Sequence, residues 1–145
     1  MSVFDVEVED TNFDVIPEGK YIAELANCEG KTSKAGNDYL NLQWKLVDND
    51  KYNGRYVFGK IMFHEGLSDA AARLYAGQIE KLGFTRDERK EQAGIDIGTM
   101  QVLYSDKAQG NKYELSVTVE EAQGDFAEKN GSLINKKLGA SDLSL

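Results

Sequence analysis

One cysteine, one histidine and one proline are all that the 145 residues contain of these types. The lone Cys28 excludes an internal disulfide. With His64 it supplies at most two soft or borderline ligands, where a structural zinc site takes four, so neither a metal nor another cofactor is expected. His64 has no second histidine to share acid–base work, and no glycine-flanked serine elbow, GxxxxGK[ST] loop or GxGxxG turn occurs. The acids Asp48 and Asp50 stand in a turn-like stretch without a glutamate at calcium-loop spacing. No catalytic residue is assigned, and the expectation is a protein that is not an enzyme. No apolar run approaches the roughly 18 residues of a membrane span. The opening MSVFDVEVEDTNFD lacks the basic start and apolar stretch of a signal peptide, which reads as a cytoplasmic chain.

What is present suits one soluble domain: 41% hydrophobic and 29% charged residues, in a length that buries roughly 70% of the unfolded surface. The net charge of −8 is unevenly spread. Residues 1–19 carry six acids and no base, and residues 120–145 carry five acids and three lysines. Residues 20–119 hold 14 of each sign and are neutral. An acidic total opposes nucleic-acid binding only where the acids lie on the binding face, and here they gather at the ends.

Three segments are expected: an acidic N-terminal arm (1–19), a folded domain (20–122) and a flexible, polar C-terminal tail (123–145). Within the domain, residues 20–29 alternate Tyr21, Ala23 and Leu25 with more polar neighbours, a strand period. After a turn-rich stretch, residues 39–48 set Leu40, Leu42, Trp44 and Leu46 on one face and Tyr39, Asn41, Gln43 and Lys45 on the other. Residues 55–63 form a third strand rich in aromatic and β-branched residues. Residues 67–83 switch to helical spacing, with Ser68 and Gly83 as caps. Residues 84–97 read as a charged connection with room for a short helical turn. Residues 98–106 and 112–122 alternate again and read as a closing hairpin. A helix between the third and fourth of five strands is the element order of the OB-fold. The expected class is therefore mainly β: a five-stranded OB-fold-like barrel with one helix between strands 3 and 4. A β-sandwich is the alternative.

Single-strand binders combine a cationic groove with aromatic faces on which bases stack. In OB-folds the second and third strands and adjoining loops usually supply that surface. Here residues 31–60 carry Lys31, Lys34, Lys45, Lys51, Arg55 and Lys60 against Asp38, Asp48 and Asp50. The expected DNA-binding residues are Lys31, Lys34, Lys45, Arg55 and Lys60 for phosphates, Tyr39, Tyr56 and Phe58 for stacking, and Gln43 for a polar contact. Trp44 shares a face with three leucines and is assigned to the core. For Tyr56 and Phe58 the pattern leaves both facings open: Lys60 beside the two rings favours turning that set outward, with Val57, Ile61 and Phe63 as the inner set.

One stretch carries a resemblance. Gly19 and Tyr21 open a strand; Lys31, Thr32, Lys34, Gly36, Tyr39 and Leu40 form a turn and strand; Gly54, Arg55, Val57 and Phe58 form another; Leu82 and Gly83 end a helix. The pattern, over residues 18–120, resembles a family of small bacteriophage proteins often labelled as a domain of unknown function. The resemblance implies an OB-fold single-stranded-DNA-binding protein of phage replication or recombination, acting in the host cytoplasm beside other replication or recombination proteins. Such binders often end in a densely acidic tail. This chain ends GASDLSL, with Asp142 as its only acid there, which puts tail-mediated recruitment in doubt. Exposed strand edges are compatible with a homodimer. A rival reading is a phage accessory interaction module or inhibitor that uses an acidic surface.

Overall fold

The computed structural model of the chain describes residues 15–120 and 129–138. Five strands and three helices occur among them, in the order β1 (Gly19–Thr32), β2 (Asp38–Val47), β3 (Tyr56–Met62), α1 (Asp69–Leu82), α2 (Arg86–Glu91), α3 (Ile97–Ala108), β4 (Lys112–Glu120) and β5 (Lys129–Leu138). All pairings are antiparallel, in the order β3-β2-β1-β4-β5. No helix of the described residues is long and apolar enough to cross a membrane.

The class is mixed α/β where mainly β with one helix was expected, and the sheet is open, not closed into the expected OB-fold-like barrel. No ladder joins β3 to β5. Their edges nevertheless meet: the Ser132 hydroxyl donates to the Phe58 carbonyl at 3.0 Å. A Cβ on Gly59 would stand 2.8 Å from Ser132 Oγ and 3.2 Å from its carbonyl oxygen, so only glycine allows this approach. A few residues further along β5, α1 caps the strand. The Gln78 amide donates to the Ile134 carbonyl (3.0 Å) and accepts from its N–H (2.6 Å). At Ile134 both edge-facing backbone groups of this strand are thereby satisfied within the chain.

The first three strands fall where alternation placed them, but the second half of the chain differs. Residues 98–106, expected as a strand, lie in α3. In a short run both periods fit, and the helical one prevails because Met100, Tyr104 and Ala108, four apart, are all buried, while Val102 is 59% exposed. Asp96 caps that helix, accepting from the Thr99 N–H at 3.0 Å. The short helical turn expected in 84–97 is α2, closed by a capping box between Thr85 and Glu88. The hairpin partner of β4 is β5, so residues 129–138 of the supposed flexible tail form an edge strand. Their polarity misled because Ile134 is the only buried residue among them. At the other end, Ile16 of the supposed arm is 1% exposed and both its N–H and its carbonyl are held by the Asn130 side chain. The rest of the arm (1–14), residues 121–122 of the expected domain, and the rest of the tail (123–128 and 139–145) lie outside the described residues.

One core fills the concave side of the sheet. Leu40, Leu42, Trp44 and Leu46 of β2 meet Val57 and Ile61 of β3, Tyr113, Leu115 and Val117 of β4, and the helical residues Ile79, Leu82, Met100 and Tyr104. Trp44 and Tyr113 pack edge to face at 5.3 Å. The Tyr113 hydroxyl reaches the Leu82 carbonyl at 2.6 Å, giving a buried polar tip a partner at the end of α1. Gly30 faces α3 closely, since a Cβ there would come within 2.9 Å of Ile97.

Candidate nucleic-acid interface

The side chains that do not enter the core stand on the opposite face of β1, β2 and β3. The strand registers group them into four rungs: Lys31–Tyr39–Met62, Glu29–Asn41–Lys60, Asn27–Gln43–Phe58 and Glu24–Lys45–Tyr56. Pleated geometry spaces successive rungs by about 6.8 Å and neighbouring strands by about 4.8 Å. Six of the nine expected residues lie on this face together in β2 and β3: Tyr39, Gln43, Lys45, Tyr56, Phe58 and Lys60. Lys31 joins them from β1. The other two, Lys34 and Arg55, sit in the β1–β2 and β2–β3 turns.

The open question of facing has a definite answer. Val57 and Ile61 are buried at 2% and 1%, whereas Tyr56 and Phe58 are 50% and 47% exposed. They are the two most exposed aromatic side chains among the described residues, and they stand on one strand beside Lys45, Gln43 and Lys60. About half of the surface of each residue is therefore open to a partner.

Two carboxylates that the composition count left out also stand on this face. Glu24 pairs in register with Lys45, and Glu29 lies 3.9 Å from Lys31. Glu24 was legible, because Tyr21, Ala23 and Leu25 point inward before and after it. Glu29 was not. A register shift between Leu25 and Asn27 reverses the parity of β1, so Cys28 turns inward and Glu29 outward. The four rungs of the face therefore carry three lysines and two glutamates. Its positive side is the β2–β3 half and its acids lie along β1.

The two turns that flank the face are built from local hydrogen bonds. In the β2–β3 turn the Asn49 side chain accepts from the N–H groups of Lys51 and Tyr52, at 2.9 and 2.7 Å. Lys51 rests 5.4 Å from the Tyr52 ring centroid. Asp48 is occupied by Lys112 at 2.7 Å, which raises the Lys112 pKa through that hydrogen bond. In the β1–β2 turn the Thr32 hydroxyl donates to Asp38 at 2.7 Å, so one of the loop's acids is engaged locally.

The two residues first considered for chemistry are placed otherwise. Cys28 is 2% exposed beneath α3, and burial pushes its thiol up to about 11, against a smaller opposing effect from the Ser105 hydrogen bond. A thiol so placed is a packing residue, since the reactive form is the thiolate. His64 follows the end of β3, in the wall of a recess beside α1.

A family model described as "Protein of unknown function (DUF669)" matches residues 3–131. No curated protein matches the chain.

Proposed function

The chain belongs to the DUF669 family, whose description assigns no activity, and from that premise we propose that it binds single-stranded DNA without strong sequence preference. The observation that carries this reading is the exposed pair Tyr56 and Phe58 on a strand face with Lys45, Gln43 and Lys60. Every base has a π face, so two rings about 6.8 Å apart can hold successive bases whatever their identity. Lysines at the same rungs neutralise phosphates, and Lys31, Lys34 and Arg55 extend the cationic path through the strand ends and turns. Binding, not catalysis, is the role such a face supports, and it needs no metal or cofactor.

The sheet order supports a relationship to the OB-fold. Reading β3-β2-β1-β4-β5 round to the β3–β5 contact at Ser132 gives the cyclic order of a five-stranded barrel that has not zipped shut. In that architecture the outer face of β2 and β3 is the usual place for an oligonucleotide. Titration of the full chain with fluorescently labelled oligo(dT) tests the proposal. Binding at low salt that weakens steeply as salt rises is expected. Absence of binding at low salt would end it.

A further inference from the structure

The convex face ends at a recess of about 760 Å³, within the size range of small-molecule sites. Its walls come from the β1–β2 turn (36–38), the exit from β3 (62–67), one side of α1 and the segment between α2 and α3. Met62 belongs both to the last rung of the face and to this wall, so the recess opens where the row Tyr56, Phe58, Lys60 and Met62 runs out. Inside, Phe63, Tyr75 and Ile79 give apolar and aromatic surface.

Two wall residues hold polar atoms without a hydrogen-bond partner among the described residues: Nε2 of Gln92 and Nδ1 of His64. Gln92 is 5% exposed, and its Oε1 accepts from the buried Tyr104 hydroxyl. In this orientation the NH₂ group is left unmatched; a phenol both donates and accepts, so the flipped amide would leave Oε1 unmatched instead, and one end of the buried amide lacks a partner either way. A buried polar group with nothing to bond is uncommon in folded chains and calls for an explanation such as a ligand or an ordered water. Lys90 is exposed on the rim, while Arg89 is held by Glu80 at 3.1 Å.

We propose that this recess receives one base of the bound single strand, a reading that rests on the single-strand-binding proposal above. A strand lying on Phe58 and Lys60 continues past Met62, and its next base turns in against Phe63 and Tyr75. Entry gives the unmatched end of the Gln92 amide a hydrogen-bond partner on the edge of the base. His64 meets a base donor or acceptor according to its tautomer. The neighbouring phosphate falls near Lys90. A small ligand such as a free nucleotide meets the same groups but lacks the contacts on the face, so it binds more weakly than the oligonucleotide.

The test follows the Gln92 side-chain NH₂ and His64 ring signals by NMR while the full chain is titrated with oligo(dT), and separately with thymidine monophosphate. With oligo(dT) both signals are expected to shift together with residues of the β2–β3 face, and with the monophosphate they are expected to shift without the face and at higher concentration. Ala72→Trp, at an exposed position of α1 that lines the recess, is expected to abolish the Gln92 and His64 shifts, keep the shifts at the face and weaken oligonucleotide binding about tenfold. Shifts confined to the face of the wild-type chain would overturn the base subsite and leave the single-strand reading standing. No binding and no shift anywhere would remove both. Should Ala72→Trp fail to fold, the wild-type titration still decides.

Discussion

Removing the Phe58 ring is the sharpest perturbation of the proposed interface. Phe58 is 47% exposed, so roughly half of its area faces a prospective base and half rests on the sheet. Stacking of a base on an aromatic side chain contributes about 1–3 kcal/mol. With only about half of the residue open, the lower part of that range, about 1–2 kcal/mol, is appropriate. This corresponds to a Kd raised roughly 5- to 30-fold in Phe58→Ala. The same substitution strips apolar area from the sheet. If a buried half of about 100 Å² counts at about 25 cal/mol per Å², the upper bound on lost stability is about 2.5 kcal/mol. Affinity could thus fall through instability alone. Phe58→Leu separates the two effects, because it keeps apolar cover on the strand but has no π face. Anisotropy titrations of labelled oligo(dT) against wild type, Phe58→Ala and Phe58→Leu, with urea unfolding of each, decide the matter. Near-wild-type stability with weakened binding in Phe58→Leu is the expected pattern. Wild-type affinity in both variants would refute stacking at this ring, and with it the observation on which the proposed function stands.

The other expectations concern charge, the sheet edge and alkaline stability. Lys45→Ala and Lys60→Ala should each reduce the slope of log K against log salt by about 0.7, the value for one phosphate contact on a single strand, and an unchanged slope would place the phosphates elsewhere. Gln78→Leu leaves the Ile134 N–H and carbonyl unpaired in a buried setting and should cost about 2–4 kcal/mol in urea unfolding, whereas a cost below about 0.5 kcal/mol would mean water replaces the amide freely. Burial raises Cys28 to about 11 and Tyr113 to about 12, so between pH 9 and 12 the unfolded chain loses these protons before the folded one does. Stability should therefore be intact below pH 9 and fall through that window, read as a declining Tm that Cys28→Ala partly flattens. At pH 8 the same thiol should react with iodoacetamide about a hundredfold more slowly in the folded chain than in denaturant.

The alternation of Leu40, Leu42, Trp44 and Leu46 with Tyr39, Gln43 and Lys45 was enough to place β2, its core face and the polar face of the candidate site, because a strand's period of two acts residue by residue. The cap residues Ser68 and Gly83 likewise bounded α1 locally. Three things were decided only by the assembled fold. Tyr56 and Phe58 face outward because the register of β3 on β2 sets Val57 against Trp44 and Ile61 against Leu40, whereas Lys60 beside the two rings only favoured that facing in the sequence. Residues 97–108 are helical because Met100, Tyr104 and Ala108 find a common core, a choice that a short run leaves open to either period. Residues 129–138 are a strand because β4 and the Gln78 amide supply their hydrogen bonds, while their own side chains are mostly polar, as an edge allows. Local period and caps are properties of a segment; facing, edge pairing and the parity change at the β1 bulge depend on partners far along the chain.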